Sequence, residues 1–424
     1  MDPSEFRRYL AACSAAWIAS CVCYWYYTTQ SSSVQIHSSL RTGSEFVTYI
    51  MNSNPRNCFN LLRMERDAFK KLCTLLRAKS LLHNKRSVLV EEQVAIFLNT
   101  VAHNERNRVM QAQFQHSGQT ISYYFNKVLK AVVALGPDFL LPPGREIPDC
   151  ILNNPMFYPY FKVTNTHCFR NLVKLLFRFI TTNLILPCKD CVGVIDGTHI
   201  PAWVGSNTNE RFRNKKGEQS QNVLAAVSFD MCFQYVLAGW EGSAADSRIL
   251  DSAINRETNP LRVPQRKYYL VDASYPNTHG FIAPYPDVEC QFNEIMDTQA
   301  PRALQELFNH RHLSLWNIVE RTFGLWKARF PILKSQSRYP FDTQVMLVIA
   351  TCVLHNFIRM TTGNDSEIES GFENQVMQEM IGTYEGDENN ETLMIDSQSI
   401  DDHDFGVQLR EEIATQLWDD YQNS

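Results

Sequence analysis

Two aspartates follow short apolar runs that predict buried β-strands. The first run, Val192–Asp196, ends in Asp196, and the second, Tyr268–Asp272, ends in Asp272. Aspartate is a poor strand residue and is costly beside an apolar core, so both positions call for an explanation. If the two strands are neighbours in one sheet, both carboxylates emerge at the same end of it. The spacing therefore predicts a paired acidic site at that end.

A third carboxylate, Glu320, lies in a strongly helical stretch, Leu313–Arg329. Glu320 falls one step off the apolar stripe of that helix, level with Trp316 and Phe323, so it can face outward from the margin of the core. Three carboxylates at a sheet end suit Mg²⁺ or Mn²⁺, because hard divalent cations prefer oxygen ligands. Two such ions could activate a water and stabilise the leaving oxygen in phosphodiester cleavage. Spacing alone leaves open a second interpretation, in which these carboxylates only cap the ends of strands.

The elements around these carboxylates follow an α/β order. After the first strand, Val223–Phe229 and Phe233–Trp240 predict a hairpin, and Ala245–Ile254 predicts a helix. The second aspartate-ending strand comes next, and Leu313–Arg329 and Thr343–Arg359 predict helices. Strand, hairpin, helix, strand and then helices is typical of an α/β domain, which we place at residues 190–360.

Residues 45–150 show helical periodicity and predict a separate helical domain. Within it, Asn107–Phe114 and Gln119–Leu135 flank a polar break, which fits a helix-turn-helix. Ser117 is the expected N-cap of the second helix, which Lys127 and Lys130 line as candidate DNA contacts. An all-helical packing domain fits the same pattern equally well.

Charge is distributed unevenly along the chain. Its net charge is −5, but residues 361–424 contain seventeen acidic residues and a single basic one, Arg410, which leaves residues 1–360 at +11. A basic body favours an anionic partner, nucleic acid first. The acidic segment 361–424 is predicted to be mostly disordered, with one amphipathic helix at Gln408–Tyr421.

The N-terminal segment 1–44 is hydrophobic, and residues 9–27 are nearly uncharged, which makes them a candidate membrane anchor. The acidic Asp2 and Glu5 weaken the basic flank that insertion favours, so a membrane anchor is the alternative to a nuclear protein here. The twelve cysteines are scattered and lie mostly in apolar runs. Cys188 and Cys191 form a C-x2-C pair without a second pair to complete a zinc site. We therefore expect reduced core thiols and an intracellular protein.

Several segments resemble the PIF/harbinger transposase family, whose relatives include harbinger-derived nucleases and the plant proteins named antagonist of like heterochromatin protein. The segments occur in order between about residues 45 and 360: His103–Arg108, Phe114–Gly118, Gly193–Ile200 (GVIDGTHI), Ser220–Leu224, Gly242–Arg248, Tyr269–Asn277 (YLVDASYPN), Ile318–Gly324 (IVERTFG) and Leu354–Ile358 (LHNFI).

The resemblance implies an RNase H-like nuclease domain with an Asp-Asp-Glu triad at Asp196, Asp272 and Glu320. It implies a divalent metal cofactor, DNA as substrate, and cleavage that releases a 3′-hydroxyl end in the nucleus. It further implies a separate Myb-like DNA-binding partner protein, and we also expect chromatin complexes and a homo-oligomer. The alternative is a domesticated protein that retains the fold as a catalytically idle DNA or chromatin adaptor.

Two further features lie close to the expected site. Between the first strand and the hairpin, a basic loop supplies candidate contacts to a DNA backbone: Arg211, Arg213, Lys215 and Lys216. A solvated loop without a DNA contact is the alternative for each of these residues. Asp246, at the start of the helix after the hairpin, is expected to cap that helix or to hold a triad residue in position without itself belonging to the triad.

The chain also departs from the family pattern. Ala245 stands where relatives usually have His, Ser274 where Gly is usual, and Trp316 where Arg is usual, and none of these removes a triad carboxylate. A larger departure is a hydrophobic and basic insert at residues 163–189, between the family's Phe157–Lys162 motif and the first strand. We interpret it as a retained intron or a misplaced exon boundary; a genuine helical insertion is the alternative.

Overall fold

The computed structural model describes residues 2–30, 42–144, 190–205, 210–265, 267–286, 288, 301–362, 367–381 and 400–423. The insert at 163–189 and the motif that precedes it lie outside these residues, so the intron hypothesis stays a prediction. Within the described residues, a helical region at 42–144 packs against an α/β domain built on one mixed sheet.

The sheet has five strands in the order β3-β2-β1-β4-β5. Its strands are β1 (Asp190–Pro201), β2 (Ser220–Val227), β3 (Phe233–Glu241), β4 (Lys267–Val271) and β5 (Phe281–Ile282). The pairs β1–β2 and β2–β3 are antiparallel, whereas β1–β4 and β4–β5 are parallel. Helices flank this mixed sheet, and an all-helical region precedes it. The predicted fold class is therefore confirmed, and the hairpin lies where the sequence placed it.

The first strand is longer than predicted, and Asp196 lies in its middle rather than at its end. The antiparallel partner β2 begins at Ser220, so it continues to pair with β1 as far as Pro201. The parallel partner β4 ends at Val271. From Asp196 onward, β1 is therefore paired with β2 on one side and is unpaired on the side of β4.

The helices of the domain and of its surroundings follow the sequence pattern closely. They are α1 (Pro3–Gln30), α2 (Gly43–Asn52), α3 (Pro55–Leu62), α4 (Arg66–Ala78), α5 (Val90–His103), α6 (Asn107–Phe114), α7 (Gly118–Val133), α8 (Gly136–Phe139), α9 (Asp246–Asn255), α10 (Leu304–Arg329), α11 (Phe341–Thr362), α12 (Glu367–Ile381) and α13 (Ile400–Gln422), with a 3₁₀ turn at Pro331–Lys334.

Local sequence signals explain the helix-turn-helix segment α6–α7. Gln115 ends α6 in the left-handed conformation with φ 56°, and Ser117 then caps α7 by accepting a hydrogen bond from the Thr120 N–H at 3.2 Å. Lys127 is half-buried and Lys130 is exposed on α7. The geometry is that of two helices joined by a tight turn, and it fits both interpretations of the segment.

One side chain joins the helical region to the sheet. Asn356, on the buried helix α11, accepts a hydrogen bond from the Phe233 N–H at 2.8 Å and donates to the Phe233 carbonyl at 2.7 Å. Its amide also donates to the Phe139 carbonyl at 2.9 Å, at the end of the helical region. The neighbouring His355 is wholly buried and its Nε2 lies 2.9 Å from the Met231 carbonyl oxygen, so it is part of the core.

In the acidic C-terminal segment the predicted helix at Gln408–Tyr421 is present within a longer helix, Ile400–Gln422, and a second helix, Glu367–Ile381, was not predicted. Glu369 on α12 forms a buried ion pair with Arg329 of α10, and Glu373 pairs with Arg359 of α11. Helix α13 packs against α10 and β5 through Leu409, Ile413, Ala414 and Leu417. Sequence reasoning treated the acidic charge as a sign of disorder, whereas the buried Arg329 and the half-buried Arg359 each pair with a carboxylate of this segment.

Two helices are long and apolar enough to cross a membrane by length and composition, Ser4–Tyr26 and Phe341–Thr362. The second of these is α11, most of which is buried in the protein core. The first lies in α1, whose described side chains are all exposed. The described cysteines of the body are buried free thiols, namely Cys58, Cys73, Cys191, Cys232 and Cys352, and those of α1 are exposed.

Candidate active site

The parallel pairing of β1 and β4 brings the two predicted aspartates together. Ile195 pairs with Val271 in register, so the next residue on each strand, Asp196 and Asp272, follows at the same level of the sheet. Both carboxylates are half-buried. The hydroxyl of Ser274 donates to Asp272 Oδ2 at 3.1 Å, which holds that carboxylate in place.

Glu320 reaches the same region from helix α10, which packs across β1. It is half-buried and lies at the margin of the core, as the helical pattern predicted. Trp316, one turn earlier, packs against the core, and its indole N–H is buried without a hydrogen-bond partner among the described residues. The face of α10 beside Glu320 therefore presents an apolar ring where relatives usually have a cation.

Electrostatics show that the carboxylates interact. Burial raises the pKa of Asp196 well above its ordinary value. The negative charges of Glu320, Asp272 and Asp246 raise it further, in that order of size. The hydrogen bond from the Gly197 backbone acts in the opposite direction but is the smallest cause. An ionised Asp196 is thus costly in the metal-free protein.

Asp246 is a fourth carboxylate of this site, and it does not cap the helix. The N-cap of α9 is Ala245, and Asp246 is the first helical residue. Its Oδ1 accepts a 2.6 Å hydrogen bond from Asn222 Nδ2 on β2. The same oxygen would lie 2.5 Å from a Cβ added at Gly197, so the glycine allows Asp246 to approach β1. Burial raises the pKa of Asp246 as well.

Lys327 places a positive charge near Glu320 and Asp196. Its ammonium group donates to Thr198 Oγ1 at 2.7 Å and to the His199 carbonyl at 3.1 Å, which ties α10 to β1. Burial lowers the pKa of Lys327 to about 8, although the charges of Glu320 and Asp196 act to raise it. The lysine is therefore a partly desolvated cation beside the acidic group.

Tyr275 places a hydroxyl beneath the carboxylates. The residue is buried, and its hydroxyl has no hydrogen-bond partner among the described residues. Burial raises the pKa of Tyr275 well above its ordinary value, and the charges of Asp196, Asp246 and Asp272 add to the rise. The hydroxyl therefore keeps its proton and remains available as a donor.

The donor chemistry of the site suits a hard divalent cation, but the side chains do not yet converge on one point. All the acidic donors are oxygens, as Mg²⁺ and Mn²⁺ prefer, and a cation would relieve the repulsion that raises the pKa of Asp196. The hydroxyl of Tyr275, which has no hydrogen-bond partner among the described residues, is a donor from which a ligand of such a cation could accept a hydrogen bond. In the described part of the chain, however, no three His, Cys, Asp or Glu side chains lie close enough together to hold a metal ion. The site therefore fits a divalent cation in the type of its donor atoms and in the closeness of its carboxylates, and not in a completed set of ligands.

The basic loop lies beside this site, and its two arginines, Arg211 and Arg213, already bind other groups of the protein. Arg211 forms an ion pair with Glu241 on β3, with 2.5 Å between Nη2 and Oε1. Arg213 donates to the Gly217 carbonyl at 2.7 Å within its own loop. Lys215 and Lys216 are exposed. The predicted DNA contacts of this loop stay predictions, with Arg211 the least available of the four.

Sequence reasoning did not identify Lys327, Tyr275 or Asn222 as parts of the site. Lys327 follows Glu320 by seven residues, which is two helical turns and so the same helix face; this spacing was a usable signal. Tyr275 and Asn222 gave none, because a buried tyrosine and a strand asparagine are ordinary in isolation. Their place at the site comes from contacts of the folded chain: Asn222 bonds to Asp246, and Tyr275 lies close enough to three carboxylates for their charges to raise its pKa.

Similarity to known proteins agrees with this geometry. Residues 195–356 match the family described as DDE superfamily endonuclease, and residues 38–134 match a domain of unknown function (DUF8040). A plant protein named "Protein ALP1-like", from Arabidopsis thaliana, is 28% identical over 187 residues. That alignment covers 40% of this chain and 43% of the relative, so the chain spans less than half of the relative's length. No solved structure matches.

Proposed function

We propose that this protein is a divalent-metal-dependent DNA endonuclease of harbinger transposase origin, because residues 195–356 match the family described as DDE superfamily endonuclease. In this proposal Asp196, Asp272 and Glu320 form the catalytic triad that hydrolyses a phosphodiester bond. The observation that carries the proposal is the raised pKa of Asp196, which lies at the same level of the sheet as Asp272 because β1 and β4 pair in parallel. A carboxylate whose pKa is raised by burial and by neighbouring carboxylates is typical of a functional site.

The three triad carboxylates would hold Mg²⁺ or Mn²⁺. A bound divalent cation supplies the Lewis acid that activates water and stabilises the leaving oxygen. Asp246 is a positioning residue, because its contact with Asn222 fixes its charge next to β1. Lys327 ties α10 to β1 and so sets the distance between Glu320 and Asp196.

A plasmid-nicking assay tests this proposal. The full chain should convert supercoiled plasmid to the open form with Mg²⁺ or Mn²⁺ and not with a chelator. Asp196→Asn should abolish the activity, because it removes one anionic ligand while keeping the size of the side chain. Asp251→Asn is the matched control, since Asp251 lies on the exposed face of α9. Equal nicking by wild type and Asp196→Asn would refute the assignment.

A second candidate function is a DNA or chromatin adaptor that retains the fold without turnover. It is favoured by one observation, that no three potential ligands among the described residues converge on one point. A wild-type chain that binds DNA but does not nick it with any divalent ion, alone or with a partner, would support the adaptor. In either case the proposed partners are DNA, a Myb-like DNA-binding protein, chromatin complexes and a second copy of the chain.

We propose the nucleus as the site of action, because the substrate is DNA. The exposed apolar helix α1 is the observation that favours the membrane instead. Imaging of a fluorescent fusion distinguishes the two, provided that it is compared with a fusion lacking residues 1–30. Nuclear fluorescence in both fusions would exclude α1 as an anchor, and a membrane signal lost on truncation would establish it.

A further inference from the structure

A cavity of about 600 Å³ opens next to the site, at the far end of β1. Three parts of the chain line it: the end of β1, the basic loop, and the segment after the 3₁₀ turn. The charged and aromatic members of this lining are His199, Arg213, Glu218 and Lys334. We call this cavity the β1 pocket. His199 follows Asp196 by three residues, so their Cα atoms lie about 10 Å apart along β1, and the two side chains leave the strand on opposite faces.

The pocket carries more positive than negative charge. Arg213 and Lys334 enter it from different elements, and both are exposed. Glu218 is the acidic residue of the lining and is exposed as well. Lys327 holds the wall of the pocket to α10 through its bond to the His199 carbonyl. Two cations that line a cavity on the same strand as Asp196 suit an anionic ligand that extends along β1.

An exposed aromatic ring stands beside the pocket on a fixed backbone. Trp203 is 45% exposed and follows Pro201, which lines the pocket, by two residues. Gln344 of α11 fixes its backbone twice: its Oε1 accepts from the Trp203 N–H at 3.0 Å, and its Nε2 donates to the Trp203 carbonyl at 2.8 Å. An indole that is exposed yet rigidly mounted is suited to stacking on a planar ring.

We propose that the β1 pocket binds one DNA strand next to the phosphodiester that is cleaved. Arg213 and Lys334 contact its phosphates, and Trp203 stacks on an unpaired base. The inference rests on the proposed function, which supplies the substrate class. A cavity of this volume accommodates about one nucleotide and not a duplex. Stacking on an aromatic side chain also needs a base whose face is free, which favours a single strand over paired DNA.

The test is fluorescence anisotropy of the full chain with a labelled single-stranded oligothymidine, in a chelator so that no cleavage occurs. Arg213→Gln combined with Lys334→Gln should weaken binding about tenfold and reduce the salt slope by about 1.4, since each phosphate contact on a single strand contributes about 0.7. Lys334→Gln alone, which leaves the Arg213–Gly217 hydrogen bond in place, should reduce the slope by half as much. Glu218→Gln should strengthen binding.

The aromatic contact has a different signature. Trp203→Ala should weaken single-strand binding about fivefold or more and leave the salt slope unchanged, because stacking releases no counterions. Trp203→Phe should retain part of the affinity. The matched control for charge is Lys85→Gln with Arg86→Gln, an exposed basic pair elsewhere on the body, which should behave as wild type. A pocket variant with the salt slope of this control, or equal loss of single-strand and duplex binding in Trp203→Ala, would overturn the proposal.

The binding assay separates this inference from the proposed function. If the wild type never nicks plasmid but the pocket variants bind as described, the strand subsite stands and the nuclease proposal fails. If the wild type nicks and Asp196→Asn does not, while the pocket variants bind and nick as wild type does, the nuclease stands and the subsite fails.

Discussion

The contact between Gly197 and Asp246 gives the sharpest test of the site's construction. A Cβ at Gly197 would lie 2.5 Å from Asp246 Oδ1 and 2.8 Å from its Cγ, which is closer than unbonded atoms approach. Gly197 lies within β1 and has no left-handed φ, so its backbone would accept an alanine. The glycine is therefore required by its neighbour and not by its own conformation.

The expected magnitude follows from what must move. Alanine at Gly197 would push the carboxylate of Asp246 away from Asn222 and break their 2.6 Å hydrogen bond. A hydrogen bond to a charged group contributes about 1.5–3 kcal/mol, so Gly197→Ala should destabilise the wild type by about that amount. In an Asp246→Ala background the obstruction is gone. There, the same substitution should stabilise the protein by about 0.4–1 kcal/mol, because alanine restricts the unfolded chain.

Urea denaturation of the four proteins in this cycle measures the coupling. We expect a coupling energy of about 2 kcal/mol or more between Gly197 and Asp246, with a change of sign of the alanine effect between the two backgrounds. If Gly197→Ala costs the same in both backgrounds, the glycine is needed for another reason. If it costs nothing in the wild type, Asp246 is not held against β1.

Three further outcomes follow from the structure. The pKa of Asp196 is raised in the folded chain, so the folded state holds a proton that the unfolded state has lost. The stability of the metal-free protein should therefore fall as pH rises through that pKa. Asp196→Asn should remove this fall and raise the melting temperature at neutral pH. The pKa of Lys327 near 8 predicts that nicking declines above about pH 8 as the ammonium is lost, and Lys327→Arg, which stays charged, should move the decline to higher pH. Glu369→Gln should destabilise the protein by about 3–5 kcal/mol in urea denaturation, because it leaves the buried charge of Arg329 unpaired, whereas the exposed Glu367→Gln should change stability little.

The parts of the fold that the sequence predicted are those in which local signals and long-range packing agree. The hairpin between Val227 and Phe233 was readable because two apolar runs flank a short polar turn. The long helix around Glu320 was readable from its periodic apolar face. The adjacency of Asp196 and Asp272 was inferred from strand ends alone, and the parallel pairing of β1 with β4 confirms it.

The parts that the sequence did not predict depend on partners far along the chain. The extension of β1 beyond Asp196 comes from pairing with β2, whose first residue is 24 positions later. The helix at Glu367–Ile381 forms in an acidic segment because Arg329 is buried and needs a counter-charge. Local composition predicts neither feature, because each one depends on a contact between residues that are far apart in the chain.

The same distinction explains which site residues were found. Asp196 and Asp272 stood out because they break a local rule, a carboxylate beside an apolar strand, and such violations are the expected mark of a functional site. Lys327 and Tyr275 break none, because a helix surface takes lysine and a core takes tyrosine. In the folded chain, however, burial lowers the pKa of Lys327 to about 8, and the hydroxyl of Tyr275 is left without a partner among the described residues. Both residues lie beside the carboxylates at which we propose that the chemistry occurs, and their altered properties appear only in the folded chain.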